Sequence, residues 1–594
     1  MLLFDLETNG LLDEVTQLHC IATLDTQTSE ERIYSSLAGD LEDGLAAIMK
    51  AHRIGGHNVI KFDIPVLQKL YPTFQIDKAQ VFDTLIAARL IWTNIKDTDA
   101  GLLKSGRLPG KKFGSHSLEA YGYRLGEMKG EYEGGWETVN QDMLDYCIQD
   151  IRVTNKLWQK IKQKNYSKRA LSLEHEVAWL IAQQERNGFV FDEAAAAELY
   201  ARLVKRQSEL QLELENFFGS WESPLPDFIP KRDNKTKGYK AGVPVKRSQT
   251  IVFNPQSRSH IANRLTELYG WEPVDFTEGG SPKVDEAVIE KLPYEPCPLL
   301  NEYLTVEKRI SQLANGTQAW LRVVKNGKIH GSVTTNGAVT GRATHSYPNI
   351  SQVPNSAAAY GTDCRKLFTV PKGWQLVGAD QSGLELRCLA HFLARYDGGQ
   401  YADAVVNGDV HSLNQKAAGL ETRNQAKTFI YAWLYGAGDQ KIGSIVGGTQ
   451  EEGRKLKQRF LKANPALKRL REEVTKKAED EKHLTGLDGR KIHIRAAFSS
   501  LNALLQGAGA VLCKQWIVLV ERELSKTLKH GWDGDYALCA WSHDEIQVAC
   551  RTPEIAAHVS NVCCEQAVVA GEAFNFRCAT AGEAKAGNNW AETH

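Results

Sequence analysis

The chain has 594 residues, 42% of them apolar and 24% charged, which is too long for one hydrophobic core and ordinary for a soluble globular protein of two to four domains. Lys plus Arg and Asp plus Glu both number 72, which excludes a protein that coats nucleic acid through a large positive field; any DNA contact must come from local basic patches. Eleven scattered cysteines without a C-x-x-C pair signal neither a disulfide framework nor a zinc site and point to a reducing, cytoplasmic setting. No 18-residue apolar run occurs, and the apolar N-terminus surrounds Asp5 and Glu7, so no export signal, anchor or membrane partner is expected.

From Met1 to about Lys164 short apolar strands (Met1 to Leu6, Cys20 to Leu24) alternate with helical stretches, ending in a helix through Asp142 to Ile161, which predicts an α/β domain. A long amphipathic helix follows over Asp192 to Phe218. The polar stretch Ser223 to Thr250, rich in Pro, Gly and Lys, reads as a loop. Between Lys231 and Arg247 it holds seven basic residues, one acidic residue and Tyr239, which fits either a solvated charged loop or a nucleic-acid or partner contact. A further helical region leads to Trp320. After Gly331 come a strand (Gln375 to Ala379), a helical block (Gly383 to about Lys482), a hairpin (Gly486 to Arg495) and a strand pair around His543, with no internal repeat.

Two constellations carry chemistry. In the first, Asp5-Leu6-Glu7 closes a strand whose period of two puts both carboxylates on one face. Asp63 ends the phrase that begins at Asn58, and Tyr146 and Asp150 stand four apart on a predicted helix. Hydrolysis of a phosphodiester uses two divalent cations about 3.5–4 Å apart, and oxygen-rich ligands suit magnesium or manganese. Any one of these pieces is far more often a surface carboxylate or a half-buried tyrosine than a site; the ordered set is not.

In the second, Leu376-Val-Gly-Ala-Asp380 is a hydrophobic strand delivering an aspartate at its end, followed by Glu385 at a helix start. Ala540-Trp-Ser-His543-Asp544-Glu545 places acids at a tight turn between two strands, so Asp380 and Asp544 can share a pair of magnesium ions. Between them Arg423, Lys427, Tyr431 and Tyr435 recur every four positions as one helical stripe, cationic at one end and aromatic at the other. A nucleoside triphosphate has the same polarity, whereas Phe429 and Trp433 read as core.

The first set resembles the tyrosine-containing branch of the DEDD nucleases. The second resembles the A, B and C motifs of family A DNA polymerases, in particular the replicative polymerases of short-tailed bacteriophages. Further phrases carry the likeness over nearly the whole chain: Gly337-Ala-Val-Thr-Gly-Arg342-Ala-Thr-His345, Gly408-Asp-Val-His411, Gly486-Leu-Asp-Gly-Arg490-Lys, Leu501-Asn-Ala-Leu-Leu-Gln506 and Asn588-Asn-Trp590. The resemblance implies an RNase H-like 3′-to-5′ exonuclease domain over 1–165 and then a right-hand polymerase: a thumb over 166–330 with a shortened basic tip at 222–251, palm at 331–410 and 486–594, and fingers at 411–485. It implies Asp5, Glu7, Asp63 and Asp150 as metal ligands and Tyr146 as the residue orienting the attacking water. Asp380 and Asp544 become ligands of two magnesium ions, replaceable by manganese, with Glu545 in support.

The same likeness implies that His411, Arg423 and Lys427 hold a dNTP, Lys427 also protonating the pyrophosphate, while Tyr431 lies by the sugar and Tyr435 by the templating base. Glu385 excludes a 2′-hydroxyl, and Arg342 and Gln506 touch the minor groove of the primer-template, whose acceptors report pairing without sequence. It implies replication of phage DNA in the cytoplasm of an infected bacterium, alongside a phage helicase-primase and single-strand binding protein. The phage relatives carry a large thumb-tip insertion that grips host thioredoxin; the short interval Glu222 to Ile251 here argues against thioredoxin dependence and for direct DNA contact by the basic stretch. No 5′ nuclease domain is expected. Two rivals, an exonuclease fused to a DNA clamp and a repair polymerase with a dead exonuclease, are disfavoured because both residue sets are intact.

Overall fold

The computed structural model describes residues 1–130 and 132–594. The chain forms two compact units, one of Met1–Phe189, His330–Ser351 and Val370–His594, the other of Val190–Ile329 and Gln352–Thr369. Every candidate site residue named above lies in the first.

At the start of the first unit stands a five-stranded sheet of β1 (Leu2–Thr8), β2 (Leu18–Asp25), β3 (Glu31–Ser35), β4 (Ile54–Gly56) and β5 (Val81–Asp83), in the order β3-β2-β1-β4-β5. β1 pairs antiparallel with β2 and parallel with β4. Both sheet faces are covered, as an α/β sheet requires. Phe4 and Leu6 point into one core with Ile60, Ile64 and Ala178, whereas Leu3 points into the other with Leu144, Cys147 and Ile151 of the helix Gln141–Gln163. Strand alternation therefore puts Asp5 and Glu7 on the face of that helix. Asn140 caps the helix by accepting the amide of Met143, and its buried residues recur at three- and four-residue steps.

Later in the same unit β8 (Gln375–Gln381), β9 (Tyr536–Ser542), β10 (Glu545–Cys550) and β11 (Gly582–Gly587) form an antiparallel sheet in the order β9-β10-β8-β11, the numbers β6 and β7 belonging to the second unit. The helix Ser500–Leu524 runs through the largest core with Val377, Leu384 and Leu538. The stretch Ala497–Leu524 is long and apolar enough by composition to cross a membrane, yet 83% of its most apolar window is buried inside the protein, so it is accounted for as a core helix. Between the two halves of this sheet lie the helices Val410–Ala418 and Arg423–Leu434, the second opened by a reciprocal capping box between Thr422 and Gln425.

In the second unit the helix Glu193–Phe218 packs along Cys297–Ile310, joined by a two-pronged Arg206–Glu302 pair at 2.7 and 2.9 Å. The stretch read as a loop is a two-stranded antiparallel ribbon, β6 (Ser220–Phe228) with β7 (Val245–Val252), and only residues 229–244 remain outside it. The ribbon buries neither face, so its strands lack the apolar alternation that marks a strand packed on a core.

Candidate active sites

The exonuclease-type residues come together. Asp5 and Glu7 leave β1 towards the helix Gln141–Gln163, and Asp63 opens the helix Asp63–Leu70. A Cβ on Gly56 would fall 2.5 Å from the Phe4 carbonyl oxygen, so the chain passes β1 closely only as glycine and then turns through Asn58 at φ +71°. The turn is pinned by Asp83, which accepts the amides of Asn58 at 3.0 Å and Ile60 at 3.1 Å while capping the following helix Thr84–Ile91. On the facing helix Tyr146 and Asp150 lie one turn apart, with Cys147 between them.

Burial raises all four carboxyl groups, and for Asp5 and Glu7 the neighbouring acids add to it. Burial, then the charges of Asp150, Asp63 and Glu7, push Asp5 well above the usual carboxylate range. Burial and Asp150 push Glu7 up to about 8; burial raises Asp63 to about 7 and Asp150 to about 6, the last despite Lys129. One oxygen of Asp150 accepts from Lys129 at 2.7 Å; its other oxygen is buried and has no hydrogen-bond partner among the described residues. Asp5, Glu7 and Cys147 bring donor atoms within 4.8 Å of one another. The Cys147 thiol donates to the Asp5 carbonyl at 3.6 Å and is held far above its usual range, chiefly by burial, so it is a neutral packing group beside hard oxygen donors. Such a cluster, short of positive charge and with a bare buried oxygen, fits hard divalent cations.

The polymerase-type residues assemble on the antiparallel sheet. Asp380 on β8 sits opposite Glu545 of β10 and opposite Glu583 of β11. Asp544 occupies the two-residue turn between β9 and β10, behind His543 at φ +61°, and its carbonyl accepts the amide of Gln381 at 3.0 Å. The two aspartates are thus one sheet position apart. Burial and then Glu385 raise Asp544 to about 6, with Asp380 and Glu545 contributing; burial and then Glu583 raise Asp380. Glu545 behaves oppositely: burial pushes it up, but His594, Trp590 and Gln547 outweigh that and hold it below its usual range. Trp590 donates to it at 2.5 Å, Gln547 at 2.7 Å, and His594 stands at 3.3 Å.

Around these acids Arg342 reaches Glu385 at 3.8 Å, and the Tyr435 hydroxyl donates to the same carboxylate. A cleft lined by Arg342, Leu384, Lys514, His543 and Asp544 opens beside them. Gly341, at φ +83°, lets the Arg490 guanidinium approach the Arg342 loop, since a Cβ there would meet it at 2.7 Å. Gln506 lies half-buried on the helix Ser500–Leu524. The helix Arg423–Leu434 carries Arg423, Lys427 and Tyr431, and Tyr435 is its C-cap, so the four-residue stripe runs off the end of the helix. Phe429 and Trp433 are buried, as expected. The His411 ring lies 6.3 Å from that of Tyr431 and has a buried Nδ1 without a hydrogen-bond partner among the described residues. Arg423 pairs with Asp409 at 2.9 Å, while Lys427 is exposed and makes no ion pair among the described residues. Sequence reading missed Lys129, Cys147, Asp83, Glu583 and His594. Glu583 and His594 had no spacing signal, whereas Cys147 lies inside a motif already singled out.

A strand-borne acid beside a hairpin-borne acid, facing a cationic and aromatic helix, defines a nucleotide-polymerising enzyme. The family model described as DNA polymerase family A matches residues 241–592, and the chain belongs to that family. Within it, this is a DNA-directed DNA polymerase of the T3 and T7 phage type. It is 44% identical to the DNA-directed DNA polymerase of Enterobacteria phage T3 and 43% identical to that of Escherichia phage T7, each over the full length of both chains. The alignment with the T3 enzyme spans 707 positions against the 594 residues here, so that relative carries long segments with no counterpart. The DNA polymerase I of Aquifex aeolicus (strain VF5) is 24% identical over 89% of this chain and 88% of that one. The fold matches the POL domain of Pol1 from M. smegmatis, solved with DNA primer-template and dNTP, at a TM-score of 0.74 and 17% identity over 99% of this chain and 96% of that one. Family A DNA polymerases need divalent metal ions, in keeping with the donor chemistry of both clusters.

Proposed function

We propose that this enzyme extends a DNA primer on a DNA template at the Asp380–Asp544 site and trims mispaired 3′ ends at the Asp5–Glu7–Asp63–Asp150 site. The observation that carries this reading is the presence, in one compact unit, of two separate acidic clusters, one between β1 and the helix Gln141–Gln163 and one where Asp380 on β8 meets the Asp544 turn. At each site two divalent cations, Mg2+ or in substitution Mn2+, supply Lewis acidity that activates the attacking oxygen and stabilises the leaving one.

The protein's own groups set up the reaction. Asp380 and Asp544 hold the metal-binding edge, and Glu545, tied down by Trp590 and Gln547, keeps that edge anionic. Arg423, Lys427 and His411 bind the triphosphate of the dNTP, with Arg423 exchanging Asp409 for phosphate and Lys427 donating the proton that leaves with pyrophosphate. Tyr431 borders the sugar, Glu385 excludes a 2′-hydroxyl, Tyr435 lies by the templating base, and Arg342 and Gln506 read the primer-template minor groove. In the exonuclease site Tyr146 orients the attacking water. The thumb, palm and fingers follow the boundaries 166–330, 331–410 with 486–594, and 411–485. The enzyme replicates phage DNA in the cytoplasm of an infected bacterium, with a phage helicase-primase and single-strand binding protein as partners.

A labelled primer-template in magnesium tests the reading: the primer lengthens with dNTPs and shortens without them, and a protein that does neither overturns it. The basic stretch from Lys231 to Arg247 supports direct DNA contact. Asp233, its one acid between Lys231 and Arg247, is turned onto the Ala241 amide, and none of the seven basic side chains makes an ion pair among the described residues. Replacing Lys235 and Lys237 by alanine lowers the slope of log affinity against log salt by about 2 if both reach phosphates. Thioredoxin leaves product length on a long singly primed template unchanged; products lengthened many-fold would contradict this.

A further inference from the structure

Beside the four exonuclease carboxyl groups stands one cation that the reading above does not use. The loop carrying Lys129 is pinned by Gln149, whose amide donates to Glu127 at 2.9 Å and to the Met128 carbonyl at 2.7 Å, one residue before Asp150 on the same helix. The Lys129 ammonium lies 2.7 Å from Asp150 and 4.8 Å from the centroid of the Tyr146 ring, which also neighbours the rings of Tyr132 and Trp136 at 5.9 and 6.3 Å. It is three-quarters buried as a side chain. A lysine so placed adjoins both a metal-binding carboxylate and the phenol that faces the attacking water.

We propose that Lys129 is a catalytic residue of the exonuclease, whose ammonium leaves Asp150 for a non-bridging oxygen of the scissile phosphodiester when cations and DNA enter. The inference rests on the exonuclease reading. Its support is charge balance: four carboxylates match the four positive charges of two divalent cations, which leaves the lysine's charge unmatched until a phosphodiester, with one negative charge, arrives. An ammonium is a compact point charge on a flexible stem, suited to move the short distance from carboxylate to phosphate. In the reaction a water oxygen bonds to phosphorus, the bond from phosphorus to the penultimate 3′ oxygen breaks, that oxygen takes up a proton, and the terminal nucleotide leaves as its 5′-monophosphate. Lys129 gives up no proton; it neutralises charge that builds on the phosphoryl oxygens.

Three proteins, wild type, Lys129→Met and Lys129→Arg, test it with single-stranded DNA. In single turnovers with Mg2+ the Met variant should hydrolyse about 10²–10³-fold more slowly, the usual loss for one preorganised charge donor, and the Arg variant should recover part of the rate. With Ca2+ in place of Mg2+, the Met variant should bind a 3′-ended oligonucleotide more weakly, while its Mn2+ affinity without DNA stays equal or rises because a competing cation has gone. Wild-type hydrolysis in the Met variant, or loss of its Mn2+ binding together with its activity, overturns the proposal, the second outcome marking Lys129 as a support of the metal ligands. A wild-type protein that does not hydrolyse DNA, or whose hydrolysis survives Asp5→Ala with Glu7→Ala, overturns the exonuclease reading itself.

Discussion

The two acidic clusters of this polymerase are built from the same part, an acid delivered by a strand, and end in opposite electrostatic states. In the cluster at β1 all four carboxyl groups are raised, and Lys129 is the one cation paired within it among the described residues. In the cluster at β8 only Asp380 and Asp544 are raised, while Glu545 is held down by three fixed side chains. The first sets four raised carboxyl groups against one lysine; the second lies at the ends of the inner strands β8 and β10, where fixed side chains already settle the charge of Glu545.

The largest expected effects separate the clusters by function. Asp544→Ala should reduce primer extension at least about 10³-fold and leave 3′-end hydrolysis intact, and the double variant Asp5→Ala, Glu7→Ala should do the reverse, each followed by gel electrophoresis of a labelled primer. A variant that lost both activities would erase the distinction.

A third buried charge group gives the contrast a control, because there the protein supplies all the counter-charge. Glu174 meets Arg490 at 2.7 Å and the Lys514 ammonium, and Arg490 also grips Asp488 at 2.7 Å. All four side chains are at most 3% exposed. Arg490→Met should cost about 3–5 kcal/mol of stability, read by thermal unfolding, since it strands the buried Asp488 carboxylate and leaves Glu174 with Lys514 alone. Added Mg2+ should not rescue that loss. At the β1 cluster it should: cation at a hundredfold excess over its dissociation constant stabilises by about 2.7 kcal/mol, and this gain should shrink in Asp5→Ala with Glu7→Ala.

Near the β8 cluster a single hydroxyl is expected to tune substrate choice. Tyr431→Phe should lower incorporation of dideoxynucleotides about 10- to 100-fold, the worth of one hydrogen bond to a charged group, because the phenol can stand in for the missing 3′-hydroxyl. Equal incorporation by both proteins would remove Tyr431 from the sugar site. The last effect is nil at pH 7 and appears on acidification. Burial lowers His57 to about 4, with Thr84 and the His116 carbonyl as its hydrogen-bond partners at 2.9 and 3.1 Å. A base depressed in the folded state lets the unfolded chain take up protons first, so its contribution is full above about 6.5 and is lost as pH falls towards 4. His57→Gln should flatten that part of the curve of melting temperature against pH.

The sequence made part of the β1 cluster legible because its spacing follows periods of two and four: Asp5 with Glu7 on a strand, Tyr146 with Asp150 on a helix. The residues that tune them escaped for a physical reason. Asp83 and Glu583 act through strand register and turn contacts, His594 folds back from the end of the chain, and Lys129 sits on a loop where no period links it to Asp150. The ribbon of β6 and β7 escaped because its strands are largely exposed on both faces, which leaves no apolar alternation to mark them.

Anomalous diffraction from crystals soaked in Mn2+ examines the central claim most directly. The account predicts peaks between Asp380 and Asp544 and, separately, among Asp5, Glu7, Asp63 and Asp150, with the latter lost in Asp5→Ala, Glu7→Ala. Crystals with no manganese between Asp380 and Asp544, with primer-template and dNTP bound, would contradict it.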